Sequence, residues 1–245
     1  MISVCMATHN GEKFIREQLD SILYQLSPSD EIIISDDGSS DHTLNIIDSY
    51  NEKRIKVYSF TQPIKSTHLH LYVTKNYQNA LIHAKGDYIF LSDQDDYWMP
   101  NKVSRCVREL DQCDLVVHNL GLADFRLIYK GENMYPQGFK FKNYLVSEGG
   151  YYGCSMAFKR SVLSFVLPFP DKLLIHDYWI GILVEHLGTV RYLQEPLIIY
   201  RLCDESISHE VVNPLWFKLS YRVYTLFCMV KRILNFKING STVKK

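Results

Sequence analysis

The sequence predicts an α/β protein with a mostly parallel central sheet flanked by helices. Two observations carry that expectation. Short runs that are apolar almost throughout, such as EIIIS and YIFLS, read as strands covered on both faces. Between them lie segments with apolar residues at helical spacing, so strand and helix alternate along the first half of the chain. No internal repeat or low-complexity linker interrupts the pattern.

Residues 2–8 form the first strand, and Ile15, Leu19, Ile22, Leu23 and Leu26 place a helix over 12–26. The β-branched run from Glu31 makes the second strand and stops at Gly38; Ser and Asp then open a helix over 39–50. Residues 55–60 form a third strand, and 68–84 a helix ending at Lys85–Gly86. DYIFLSD (87–93) is the fourth strand, and Pro100 suits the first turn of the helix after it. DLVVHNL (114–120) is the fifth. From about 121 to 150 periodicity fails, which predicts a long loop region of the kind that covers sites. Residues 153–163 read as strand into helix, 176–188 as a helix, and 189–201 as a strand pair. An aromatic-rich basic helix over 214–236 closes the chain.

The 245 residues are 47% hydrophobic and 22% charged, an ordinary globular composition, and one large α/β domain is expected. The net charge is zero but unevenly spread. Residues 214–245 hold seven basic and no acidic residues, leaving 20 basic against 27 acidic in the body. An acidic body with its basic excess in an apolar helix argues against nucleic-acid binding. Six cysteines without C-x-x-C pairing or zinc-like spacing read as reduced thiols of a cytosolic protein. The first residues have no basic region before their apolar run, so they read as a strand, not a signal peptide. The tail's longest uncharged apolar stretch, between Arg222 and Lys231, is far short of the roughly 18–20 residues of a membrane span.

In an open parallel sheet, ligands bind beyond the carboxyl ends of the strands. Here those ends read Thr8–His9–Asn10–Gly11, Asp36–Asp37–Gly38 and Ser92–Asp93–Gln94–Asp95–Asp96. Residues two apart in an extended segment share a side, so Asp93 and Asp95 can aim at one point. Two hard oxygen ligands suit Mg2+ or Mn2+, with water and phosphate oxygens filling the other positions. The competing reading is an acidic turn that caps the next helix. Asp96 faces the other way and serves as that cap. His68 and His70 form no metal set, and the serines of DDGSSD have no paired base for nucleophilic hydrolysis.

With these residues in view, the chain resembles family 2 of the glycosyltransferases. The resemblance runs over roughly 1–205, through ISVCMATHNGEKFI, IIISDDGSSD, AKGDYIFLSDQDDYWMPNKV, GCSMAFKR and HDYWIGILVEHLG in that order. SDQDDYW combined with HDYW is most similar to bacterial rhamnosyltransferase-like members that build surface polysaccharides. The resemblance implies a GT-A nucleotide-diphospho-sugar transferase fold over 1–210, with 211–245 a basic aromatic tail. It implies that Thr8, His9 and Asn10 line the nucleotide pocket, that Asp37 bonds base or ribose, and that Asp93 with Asp95 holds Mn2+ or Mg2+, Asp95 directly. Asp177 stands where inverting members place the catalytic base. Gly153, Cys154, His176, Trp179 and Arg201 fall on the acceptor or phosphate side, His176 as fallback proton acceptor. Two positions depart from the family pattern: His9 replaces a frequent tyrosine, and Leu202–Cys203–Asp204 replaces Gln-His-Gly, leaving His209 as a substitute histidine.

The implied chemistry is direct displacement, moving a hexosyl or deoxyhexosyl group from a nucleotide-diphosphate donor to a saccharide hydroxyl with inversion. Read from the residues alone, Asp177 could instead be a helix N-cap, with a proton affinity lowered by the helix terminus. Trp98 and Trp179 read as packing residues ahead of sugar platforms, and Arg201 as either a phosphate contact or a structural ion pair. Two other functions stay open: a sugar-nucleotide-binding module with impaired catalysis, and a nucleotidyltransferase, for which THNGEKF is poor in glycine and lysine. The basic helix at 214–237 suits the interface of an anionic membrane, where a lipid-linked acceptor would sit, or else packs on the domain or a second subunit. That places the protein in the cytoplasm, peripheral on the inner face of the membrane.

Overall fold

The computed structural model describes residues 1–61, 68–134, 151–202 and 214–242. Strands β1 (Ile2–Thr8), β2 (Glu31–Asp36), β3 (Ile55–Ser59) and β4 (Tyr88–Ser92) alternate with helices α1 (Ile15–Leu23), α2 (Thr43–Ser49) and α3 (Leu69–His83). There follow β5 (Tyr97–Trp98), α4 (Lys102–Leu110), β6 (Leu115–Ala123), β7 (Tyr129–Asn133), β8 (Met156–Lys159), α5 (Leu163–Val166), α6 (His176–Leu187), β9 (Val190–Arg201) and α7 (Leu215–Thr242).

All the strands join one sheet, ordered β3-β2-β1-β4-β8-β6-β9-β5, with β7 paired to β6. The half from β3 to β4 is parallel throughout. The other half is mixed, because β8 runs antiparallel between β4 and β6. Alternate strand residues enter two separate cores. Cys5, Ile33, Ile89 and Leu91 pack with Tyr77 and Leu81 of α3, Ile180 and Leu183 of α6 and Met229 of α7. Val4, Met6, Ile32, Ile34 and Phe90 pack on the opposite face with Ile15 and Leu19 of α1 and Cys106 and Leu110 of α4. Burial on both faces is why these strands carry no polar alternation. In the first core the Tyr151 ring lies so close to α6 that a Cβ at Gly181 would sit 2.2 Å from it. Only glycine leaves room for that ring.

Two expectations change. Residues 189–201 form one strand, not a pair. Its pairing with β6 shifts register around Asn119, which stands opposite Pro196, and the irregularity accommodates the proline inside one strand. The first part of the 121–150 loop is ordered: β6 runs on to Ala123, and the 5-residue β7 returns beside it. Residues 135–150 lie outside the described residues, as do Cys203, Asp204 and His209.

Candidate active site

The ends of β1, β2 and β4 lie side by side in the parallel half of the sheet, and side chains knit their loops together. Thr8 is buried, and its hydroxyl donates to Asp36 Oδ1 at 2.9 Å. Asp36 also accepts the Ser39 hydroxyl (2.6 Å) and amide (2.9 Å), a turn completed by Gly38 at φ +67°. Gln94 clamps His9 at both backbone groups: it accepts the amide at 2.9 Å and donates to the carbonyl at 3.0 Å. Asn10, at φ +48°, accepts the Ser40 amide through Oδ1 at 2.8 Å. The His9 ring nitrogen Nδ1 lies 2.8 Å from the Asp37 carbonyl oxygen. The exposed parts of this rim are therefore His9 and Asn10, with Asp37 half-buried beside them. Thr8 contributes backbone, its hydroxyl being turned inward.

The strand β4 stops at Ser92 and a bend follows, so the two-apart rule for extended chain no longer governs Asp93 and Asp95. The bend instead brings Asp93 and Asp96 together. Asp93, Asp96 and the Cys154 thiol have ligand atoms within 4.8 Å of one another. Asp95 lies within electrostatic reach: burial and Asp93 push its acid range up to about 7. Burial, reinforced by Asp95 and Asp93, drives Asp96 well above the usual carboxylate range. Asp96 thus corrects the sequence reading. It is buried, turns toward its neighbours, and accepts the Arg201 amide at 3.1 Å; Asn101 begins α4 with no side-chain cap.

Among the described residues, positive charge reaches this cluster from Lys102 and Arg201. Lys102, at the start of α4, is fully buried, with Nζ 4.0 Å from the Trp98 ring centroid and donating to the Cys154 carbonyl at 2.7 Å. Burial lowers it to about 8, against the pull of Cys106, Cys154, Asp96 and Asp93. Arg201, 3% exposed, pairs with Glu17 at 2.7 Å, donates to the carbonyls of Asp95 (2.6 Å) and Phe125, and lies over the Phe14 ring. Its guanidinium braces the acidic loop from behind, which is the ion-pair alternative of the two readings.

Tyr77, in the middle of α3, is a site residue that the sequence reading missed. Its hydroxyl donates to Asp93 Oδ1 at 2.5 Å, and its ring stacks on His176 with centroids 4.2 Å apart. His176 opens α6 and is lowered to about 3, by burial first and His70 second, so it is neutral at physiological pH. Asp177 follows it. Its Oδ1 accepts the Tyr178 amide at 2.8 Å, and the Gly153 amide also bonds to it. Those donors favour the anion, yet burial and then Asp93 outweigh them and push Asp177 up to about 7. The helix start does not depress this carboxylate as the sequence reading expected, because desolvation is the larger effect. Gly153 and Cys154 are buried in the turn before β8. Trp179 does not line the acceptor side: it is fully buried, and its Nε1 donates to the Val166 carbonyl at 2.9 Å.

The family model described as Glycosyl transferase family 2 matches residues 3–167. The chain belongs to that family. Among curated relatives, the dTDP-rhamnosyl transferase RfbG of Shigella flexneri is 27% identical over 89% of this chain and 77% of its own length. An Escherichia coli relative, the UDP-Glc:alpha-D-GlcNAc-diphosphoundecaprenol beta-1,3-glucosyltransferase WfgD, is 25% identical over 98% and 93%. Other relatives are longer: the chain spans 68% and 64% of the lengths of two uncharacterized glycosyltransferases. The fold matches the S. aureus TarS structure in complex with UDP-GlcNAc, with a TM-score of 0.66, 18% identity, and coverage of 99% of this chain and 75% of that one. Glucosyl-3-phosphoglycerate synthase from Mycobacterium tuberculosis, solved with Mn2+ and UDP, matches at 0.58 with 18% identity, over 95% of this chain and 78% of that one. This glycosyltransferase domain therefore has the GT-A fold, and α7 follows it.

Proposed function

We propose that the protein moves a hexosyl or deoxyhexosyl group from a nucleotide-diphospho-sugar to a saccharide hydroxyl, inverting the anomeric carbon. Asp177 carries this reading. A carboxylate with an acid range near 7, within electrostatic reach of the acidic end of β4, is suited to accept a proton at neutral pH. In the proposed step the acceptor oxygen gives its proton to Asp177 as it bonds the anomeric carbon. The bond from that carbon to the diphosphate oxygen breaks on the opposite face. One carboxylate suffices, and no covalent intermediate on the protein is required. His176, lowered to about 3 and stacked on Tyr77, is a poor competitor for the proton.

The donor side is the knitted rim, with Asp37 near base or ribose and His9 and Asn10 beside it. The donor set at the end of β4 fits a hard divalent cation. Burial raises all three carboxylates; Asp93 and Asp96 share the buried Lys102 ammonium, and Arg201, the cation that reaches Asp95, is already paired with Glu17. Asp93 and Asp95 would hold Mn2+ or Mg2+, which when bound supplies positive charge against the departing diphosphate. In the metal-free protein burial keeps the Cys154 thiol protonated and hydrogen-bonded to the carboxylates, and its sulfur is a softer donor than these hard cations favour. The neighbour solved with Mn2+ and UDP supports this reading, and WfgD's name supports a lipid-linked acceptor. The acceptor would then lie at the cytoplasmic leaflet in surface-polysaccharide synthesis, with the 1–210 domain working there peripherally.

The test is calorimetry with UDP-, dTDP- and GDP-sugars, with and without Mn2+. One donor class should bind, and bind more tightly with the metal; no binding under any condition overturns the reading. Tyr77→Phe, which removes the bond to Asp93 while keeping the stacked ring, should weaken Mn2+-dependent donor binding about tenfold, the scale of one hydrogen bond to a charged group. Unchanged affinity in that variant would remove Tyr77 from the site.

A further inference from the structure

The apolar residues of α7 divide into two opposed faces. One face is packed: Met229 and Thr225 are buried against the body, and Arg232 donates to the carbonyls of Phe165 and Leu167, at 2.9 Å each, and of Pro168 at 2.6 Å. The other face carries Trp216, Leu219, Val223, Phe227, Val230 and Leu234, between 48% and 70% exposed. Their steps of three and four place them in one stripe along the helix, on the far side from Thr225, Met229 and Arg232. Arg222 borders the stripe on one side and Lys231 on the other, and the helix holds no acidic residue.

We infer that this outward stripe docks α7 flat into the interface of an anionic phospholipid surface. Large apolar residues entering the headgroup boundary, bordered by cations, are what such a surface receives. A second copy is the poorer occupant, since pairing two of these helices would set basic border against basic border with no acid on either. No helix among the described residues is long and apolar enough to cross a membrane, so α7 would lie on the surface. The helix is also tied to the site. The Tyr221 hydroxyl accepts the amides of Leu174 (3.0 Å) and Ile175 (3.2 Å), the two residues before His176 and Asp177. From the other side, Thr74 of α3 donates to the Leu174 carbonyl at 2.8 Å. A helix bound to lipid would thus hold the segment leading into Asp177 at a fixed height above the bilayer, where a lipid-linked acceptor emerges. Only that last step rests on the proposed function; docking itself does not.

The experiment is flotation of the full chain with phosphatidylglycerol-containing vesicles and with pure phosphatidylcholine vesicles. Both substituted positions in Val223→Glu/Phe227→Glu are exposed, so the fold should survive, and retained thermal unfolding cooperativity checks it. Wild type should float with anionic vesicles and be released by high salt, and the double variant should lose about tenfold or more of its partition. A variant that floats like wild type overturns the inference. So does a wild type that stays with the soluble fraction while light scattering reads a dimer that the variant dissolves. Flotation needs no donor or turnover, so a failed donor-binding panel leaves this result standing, and the reverse.

Discussion

Asp177→Asn should abolish transfer while leaving donor binding intact. Asparagine keeps the size of the side chain and can still accept the Tyr178 amide through Oδ1, so the start of α6 should hold its shape. What is lost is the ability to take a proton. Positioned bases contribute typically 10²- to 10⁴-fold, so kcat should drop by about that factor with KM little changed. The pH dependence gives a sharper reading. Asp177 is raised from 3.8 to about 7, so its basic form fills as pH rises through about 7. The wild-type rate should climb through that range and level off above it, and the variant should lack the climb. Stability moves in the opposite sense. Between 3.8 and about 7 the folded state holds the proton more tightly than the unfolded chain, so this group's contribution falls as pH rises through the window. The variant should therefore match wild type in thermal stability at acid pH and exceed it above about 7. An unchanged pH–rate profile in the variant would place the base elsewhere.

Asp95→Asn should separate stability from function at the acidic loop after β4. Asp95 is held up to about 7 by burial and by Asp93, so its ionisation in the folded, metal-free protein is opposed. Removing the carboxylate relieves that repulsion and should stabilise the metal-free protein by on the order of 1 kcal/mol, about 2–4 °C in Tm for a chain of this size. The same change should lower Mn2+-dependent donor affinity by about 10- to 100-fold. Thermal scans with and without Mn2+ read both effects together. Wild type should gain Tm on adding the metal and the variant should gain little. A variant that is less stable without metal and gains as much with it would remove Asp95 from the metal site. A site that stabilises its charge only when loaded commonly carries this trade between stability and function.

Much of the fold was legible because the parallel half obeys local rules. In β1, β2 and β4 the apolar runs are continuous since both faces are covered, and α1 shows its buried stripe as Ile15, Leu19 and Ile22. The mixed half was harder to read. β8 enters between β4 and β6 from more than thirty residues beyond β6, and nothing in MAFK says that it runs antiparallel. Residues 189–201 read as two strands because the tolerance for Pro196 inside β9 depends on a register shift that is invisible in one strand's own sequence. At the site, the residues on strand ends were readable and the residues that hold them were not. Tyr77 reaches Asp93 from the middle of a helix, at a position with no motif around it. Nothing around Lys102 in the sequence marks it, and only tertiary packing buries its ammonium within electrostatic reach of Asp96 and Asp93. The acid range of Asp177 ran against the helix-terminus argument because burial is a property of the assembled cleft.

Arg201 has a consequence for where this protein can be cut. The match to the family model ends at residue 167. A fragment trimmed there would retain Asp93, Asp95 and Asp96 but would lose Asp177. It would lack Arg201, whose single side chain gathers Glu17 and the Phe14 ring at the start of α1, the Asp95 backbone and Phe125, three distant stretches of chain. The acidic loop would lose the fixed wall it rests on, and the sheet would lose β9, to which β5 is hydrogen-bonded. The smallest piece that can keep its carboxylates in place thus extends through residue 201, well beyond the boundary that homology alone would draw.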